Sequence, residues 1–510
     1  MLEFRFMIYR LHKLIQSKTL ITFYLLLITF SSFAQMDKAD KLFADYKYAQ
    51  AIELYKPIAD KGNIRAVRKL AECYRKINDY ANAETYYALV VADKNAIPKS
   101  YLYYGQLLMT NEKYDAAKIW LQKYLDLKSD NDTVIARTLL QSCNAPKNNV
   151  TSERKIQFKN LNAVNSTASD FCAVPYENGI LFTSARQGKT NGTSGSGYQE
   201  VFFAFPSSDS TYTIEPVKGV VNSKNYNSGP ACVDTIKQLI YFTKNNFQYG
   251  DAITNKKGDV TLKIFSAKKV NDSWKDIKEL ELNDKEYSCA FPSINREGNM
   301  LFFTSDRGGG FGGKDIYYST LQNGIWSKPK NAGKTINTPG DERYPFIHTD
   351  GTLYFSSTGY PGFGGMDIFK SVPNKLGEFS KPENLGKPFN GPTDDFGFYL
   401  DGNFSKGFFS SDRSGGVGSD DIYQFEFTDI PFDLNLYCDG KVSDEIKVSI
   451  QKNGQVIKEA VYNKKLSIYL DTNASYTFEC TKEGFTTERL DIKTTSNKKP
   501  VVKSINLMTK

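Results

Sequence analysis

The chain has 510 residues, 65 lysines and arginines against 57 acids, a formal net charge of +8 and 40% apolar residues. That length exceeds one ordinary hydrophobic core and predicts several domains. Acidic and basic residues are interspersed after the N-terminus, which argues against a nucleic-acid footprint, and two histidines leave almost no material for a histidine-ligated metal or a Ser-His-Asp triad.

At the N-terminus, Arg5, Arg10, Lys13 and Lys18 precede the apolar run LITFYLLLITF (20–30), and Ser32-Phe33-Ala34 follows. Basic, apolar and small-x-small segments in that order predict a secretory signal peptide over 1–34. An uncleaved anchor is the alternative. The run is too short to span a bilayer comfortably, and no later segment reads as transmembrane. The expectation is an exported, periplasmic chain. Seven scattered cysteines without a C-x-x-C pair predict buried thiols; Cys438 and Cys480 fall in one small C-terminal segment and could pair.

Residues 37–145 carry apolar and small residues at helical spacing. A longer period lies beneath it: Tyr48, Tyr80 and Tyr114 each stand three residues before Ala51, Ala83 and Ala117. This pattern resembles the tetratricopeptide repeat, with 133–143 as a capping helix. Such an array implies a partner groove, for which Tyr74 and Tyr104 are candidates; inter-helix packing is the competing role for both. Residues 146–153 are polar and aperiodic and read as a linker.

Over 154–430 the period becomes strand-like. In SDRGGGFGGKDIYYS (305–319), Gly308, Gly310 and Gly313 match the G-x-G-x-x-G of dinucleotide loops. The match fails on context, because such a loop opens a helix, whereas here a strand follows. The stretch also recurs, as SSTGYPGFGGMDIFKS (356–371) and SSDRSGGVGSDDIYQF (410–425). Asp315, Asp367 and Asp421 are equivalent, each expected to cap its turn by accepting backbone N–H bonds. Asp306 with Arg307, and Asp412 with Arg413, are expected to form bridges across blades. Two looser copies precede these three, which predicts a five-bladed β-propeller. The fifth copy lacks an outer strand, and KIQFKNLNAVNS (155–166) resembles the missing piece, with Asn165 matching Asn337. The N-terminal strand is therefore expected to close the ring. Residues 432–510 alternate apolar and polar positions between Asn-Gly and Glu-Gly turns, predicting a small Ig-like β-sandwich.

The blade pattern, ending in S-D-R-x-G-G-x-G-x-x-D-I-Y/F, resembles the PD40, or TolB-type WD40-like, repeat. Tyr476 to Phe485 is similar to a carboxypeptidase-regulatory-like domain. The whole order resembles PorE-type, OmpA-family envelope proteins of Bacteroidetes, without their C-terminal peptidoglycan-binding domain. The predicted class is thus multidomain α plus all-β. The resemblance implies a periplasmic, outer-membrane-associated scaffold linked to type IX secretion or gliding. Its implied partners are PorP/SprF-like β-barrel proteins or secretion subunits, with peptidoglycan contacted only indirectly. No catalytic residue, cofactor or metal is expected. A glycan- or peptide-binding propeller is the alternative, followed by a glycoside-active propeller using paired carboxylates. Asp394-Asp395 and Asp341-Glu342 are the nearest such pairs.

Overall fold

A computed structural model describes residues 34–127, 132–144, 154–186, 197–208, 211–223, 226–248, 251–496 and 499–510. The expected leader, apart from Ala34, and the expected linker lie outside these residues. The described residues form two compact units, one helical and ending at Cys143, the other built of strands.

The helical unit holds α1 (34–44), α2 (Tyr48–Ala59), α3 (Ile64–Lys76), α4 (Tyr80–Ala92), α5 (Pro98–Thr110), α6 (Tyr114–Asp126) and α7 (Thr133–Ser142). Their starts are locally encoded. Asn63 accepts from the Ala66 N–H at 3.1 Å, Asp79 from Asn82 at 3.2 Å, and Pro98 opens α5 where no intrahelical donor is needed. One apolar core runs from Met36 through Tyr55 and Leu70 to Leu107, and a second joins Tyr101, Leu121 and Leu139.

Five antiparallel sheets make the first part of the other unit, ahead of its C-terminal strands. The first is β2 (Asp170–Tyr176), β3 (Gly179–Ser184), β4 (Glu200–Ser208) and β5 (Thr211–Pro216). The second is β6 (Ser228–Asp234), β7 (Leu239–Asn245), β10 (Leu262–Val270) and β11 (Ser273–Glu279), with the hairpin β8 (Phe247–Gln248) and β9 (Asp251–Ala252) inserted. The third is β12 (Cys289–Ile294), β13 (Met300–Ser305), β14 (Asp315–Gln322), β15 (Ile325–Trp326) and β16 (Lys330–Asn331). The fourth is β17 (Glu342–Ile347), β18 (Leu353–Ser357), β19 (Asp367–Ser371) and β20 (Glu383–Asn384). The fifth is β21 (Asp395–Leu400), β22 (Lys406–Ser411), β23 (Asp421–Phe427) and, as its outer strand, β1 (Ile156–Asn160). Each first strand neighbours the next, and β21 returns to β2, so the sheets are blades of a closed propeller. β1 pairs with β23 from Ile156↔Phe427 to Asn160↔Tyr423, which closes the ring with the chain's own N-terminal strand.

The blades are joined by a repeated asparagine. Asn165, Asn222, Asn283, Asn337 and Asn390 each accept one backbone N–H and donate to one carbonyl of the previous blade's third strand, at Ile422, Val201, Ile264, Ile316 and Ile368. A side-chain amide thereby replaces a missing ladder rung. The glycine-rich loops close the same seam. A Cβ on Gly312, Gly364 or Gly418 would stand 1.8–2.2 Å from a backbone oxygen of the segment leading into the next blade. These glycines serve close backbone approach, not phosphate binding.

The expected fold class is corrected on both flanks. The helices are 10–13 residues long in a chain otherwise built of strands, and their first core crosses the expected repeat boundaries without dividing there. They form one helical unit rather than a distinct tetratricopeptide domain. The C-terminal strands are not a separate Ig-like domain either. β24 (Asp429–Cys438) follows β23 after one residue and lies in the same compact unit as the propeller. It pairs in parallel with β31 (Val501–Leu507), against the antiparallel plan of an Ig sandwich. Alternation of apolar and polar residues predicts a strand but says nothing about its partner's direction. All seven cysteines are free thiols, with Cys438 and Cys480 both buried.

Candidate binding channel of the propeller

Each first strand carries a bulge one or two residues after its start. There the ladder shifts register, and Cys172, Gly229, Phe291, Tyr344 and Gly397 adopt positive φ between 52° and 101°. A bulge frees its backbone from the ladder and re-aims its side chain. The freed N–H of Phe291 donates to Thr243 Oγ1 at 2.9 Å, and that of Cys172 to Ser410 Oγ at 2.9 Å, each in the preceding blade. The propeller therefore turns five bulges toward its axis. Phe291 and Tyr344 stack there with ring centroids 4.2 Å apart, and Phe396 lies 4.7 Å from Tyr344.

On one side of these rings lies a cavity of about 480 Å³ that reaches the turns between first and second strands. All five blades line it. Its wall includes Val174, Cys232, Ile294, Phe346 and Tyr399, with Thr235, Ile236 and Arg296 at the mouth. Pro230, Pro292 and Pro345 hold the same step of three lining strands, immediately after the bulge residue. Proline has no N–H, so these three steps offer no backbone donor. His348, beside the mouth, is buried and held by Asp350 at 2.7 Å and the Asp401 carbonyl at 3.1 Å.

Charged residues gather toward the opposite end of the blades. Asp341 pairs with Arg343 and lies 3.7 Å from Lys314. Asp394 accepts from the Met366 N–H at 2.7 Å, and its own N–H donates to Asp412 at 2.8 Å. Burial, then the Asp412 carboxylate, pushes Asp394 up to about 7. Burial also raises Asp420 to about 6. Asp395 is raised by burial to about 6 although Arg413 bonds it at 2.6 Å.

Glu342, at the corresponding place in the fourth blade, faces no arginine. Arg186 and Arg413 pair with Asp170 and Asp395 in the first and fifth blades, whereas the equivalent of Arg413 here is Gly359. Glu342 accepts from Thr338 N (2.8 Å), Thr338 Oγ1 (2.6 Å) and Ser357 Oγ (2.7 Å), and burial pushes it up to about 7.

The residues singled out in the sequence fall into structural roles. Asp315 accepts from the Phe311 and Gly312 N–H groups, Asp421 from Val417 and Gly418, and Asp367 from Phe363. Asp306 accepts from the Ser288 N–H and Asp412 from that of Asp394, each tying the second strand to the start of its own blade. Arg307 donates to the Leu282 carbonyl and Cys289 Sγ, and Arg413 to the Pro388 and Phe389 carbonyls. Neither arginine pairs with the aspartate preceding it. Tyr74 and Tyr104 both make ring contacts within the helical unit. Tyr74 is 7% exposed and stacks on Tyr86, and Tyr104 packs edge-on against Trp120. The channel residues went unread in the sequence. Their one signal is proline recurring at 230, 292 and 345 at matching blade positions. Among the described residues, no group of three or more His, Cys, Asp or Glu is placed to hold a metal ion, and no helix is long and apolar enough to cross a membrane.

No family profile and no curated protein sequence matches the chain. Similar solved structures include a TolB-like propeller from Agrobacterium tumefaciens, with TM-score 0.33, 10% identity, and 63% of this chain and 99% of that one covered. A glycoside-hydrolase-like protein from Parabacteroides distasonis has TM-score 0.32, 9% identity and coverage of 54% and 93%. A gluconolactonase from Xanthomonas campestris has TM-score 0.33, 9% identity and coverage of 54% and 91%. At these values the likeness informs neither activity nor ligand.

Proposed function

We propose that this protein is a non-catalytic interaction protein of the cell envelope, exported to the periplasm and associated with the outer membrane. It serves there as a scaffold for a β-barrel outer-membrane protein of PorP/SprF type or for subunits of a type IX secretion or gliding apparatus. The location rests on the leader-like N-terminus, and the partners rest on the blade-pattern resemblance. One observation carries the non-catalytic part. The carboxylates that a hydrolytic propeller would need are occupied by the ring itself. Asp395 holds Arg413, Asp341 holds Arg343, Glu342 holds Thr338 and Ser357, and Asp394 holds the Met366 N–H. These bonds give each of the four carboxylates a structural partner, while burial holds Glu342 and Asp394 up at about 7, so turnover by Asp394 is the outcome against which the scaffold is tested.

The test is affinity recovery of the tagged chain from crosslinked native envelopes. Enrichment of outer-membrane barrels or secretion subunits is the expected result. Recovery of the chain alone, together with glycoside or lactone turnover that Asp394→Asn abolishes, would replace the scaffold with an enzyme.

A further inference from the structure

We infer that the central cavity is a binding site for an amphipathic anion: an acyl chain entering the channel, with its carboxylate or phosphate head at Arg296. This deepens the reading of the chain as a binding protein and rests on that reading, but not on the identity of any protein partner.

Four features of the channel carry it. The cavity, at about 480 Å³, is of the size that encloses a small ligand. Apolar side chains from all five blades make up most of its wall, which Asp234, Ser293 and Asn295 also line, and the stacked Phe291 and Tyr344 rings stand among them. An apolar chain can lie along these side chains with its head at the turns where Arg296 stands. Part of the wall also lacks backbone donors. Pro230, Pro292 and Pro345 lack an N–H, and the bulge N–H groups of Phe291 and Cys172 are spent on Thr243 and Ser410. A peptide or a sugar lying against these steps would find few backbone donors, whereas a methylene chain needs none. Finally, the mouth is amphipathic. Arg296 is exposed there, and among the described residues its side chain makes no hydrogen bond or ion pair. Nearby Lys237, by contrast, is spent on the Gly298 carbonyl and Asp234. Ile236, at the same mouth, is 72% exposed, an uncommon state for an isoleucine on a tight turn. A cation beside an exposed aliphatic group suits a head-and-tail ligand.

The test titrates the full chain with cis-parinaric acid, whose fluorescence rises in an apolar site. Saturable binding is expected, displaced by palmitate and by dodecyl phosphate. Cys232→Trp fills the cavity and should abolish binding. Arg296→Gln should weaken it about tenfold through loss of the head's ion pair. Both variants are checked by thermal melting. If Cys232→Trp does not fold, Ile294→Phe is the second filling variant. Absence of saturable binding, or binding unchanged in the filled variant, overturns the site. Displacement by an apolar heptapeptide with a free C-terminus but not by palmitate overturns the ligand class. Envelope partners recovered in the presence of either negative result leave the scaffold standing while removing the ligand.

Discussion

Arg154 and Asp429 meet across 275 residues of sequence, the guanidinium donating to the carboxylate at 2.9 Å. The Lys155 N–H donates to the other oxygen of Asp429 at 2.6 Å, and Arg154 also reaches the Phe404 carbonyl at 2.9 Å. Asp429 begins β24, and Arg154 immediately precedes the closing strand region. One ion pair thus ties ring closure to the C-terminal sheets, which is why those sheets belong to the propeller's unit.

Breaking that pair leaves a buried charge. Asp429 is 1% exposed and Arg154 10% through their side chains, so Arg154→Ala should cost about 3–5 kcal/mol. Asp429→Asn keeps an acceptor and should cost less. Urea unfolding of the two variants and the double variant measures this. Equal and additive small losses would mean that the pair is no clasp.

Removal of residues 154–162 deletes β1 and exposes the β23 edge. The melting temperature should fall by many degrees, with a shift toward aggregates in size-exclusion chromatography, because an unpaired edge recruits other chains. An unchanged melt would mean that the ring is stable when open.

Loss of one asparagine clamp removes two hydrogen bonds and leaves a buried N–H and carbonyl unpaired. Asn390 is 2% exposed, and Asn390→Ala should destabilise by about 2–4 kcal/mol. Asn222→Ala, half-buried, should cost less. The ranking of the two, from chemical denaturation, is the readout.

Gly364→Ala tests the seam between loop and blade. Its Cβ would stand 1.8 Å from the Pro392 oxygen, so the loop must move. The expected loss exceeds that of Gly377→Ala, where nothing lies within 4 Å and only the positive φ opposes the substitution. Thermal melting of the pair decides it, and equal losses would remove the close-approach argument.

Glu342 sets a pH dependence. Burial raises it to about 7, above its unfolded value of 4.5. Between those values the folded chain holds a proton that the unfolded chain has lost, so stability falls as pH rises through the window. Asp394, Asp395 and Asp420 are raised in the same direction. Glu342→Gln should flatten part of the decline, gaining on the native chain as pH goes from about 5 to about 8. Parallel melting curves across that range would place the native carboxyl's titration elsewhere.

Much of this molecule is legible one residue at a time. Strand period, blade length, the aspartate caps and the closing strand all follow from local patterns: a turn needs its glycine, a loop N–H its acceptor, and a blade its fourth strand. Asn165 was readable because it repeats Asn337. The fold class was misread at both ends for one reason: periodicity names an element but not its neighbour. It could not show that helices 34–107 share one core, or that β24 would take a parallel partner some 70 residues later. The channel was hidden for a related reason. Its lining comes from the first strands and following turns of all five copies, brought together only when the ring closes. Glu342 reads as another acid at the start of a blade, until packing shows Gly359 where an arginine stands in the first and fifth blades. Local chemistry determined the blades; convergence of distant residues, under close packing, decided what they enclose.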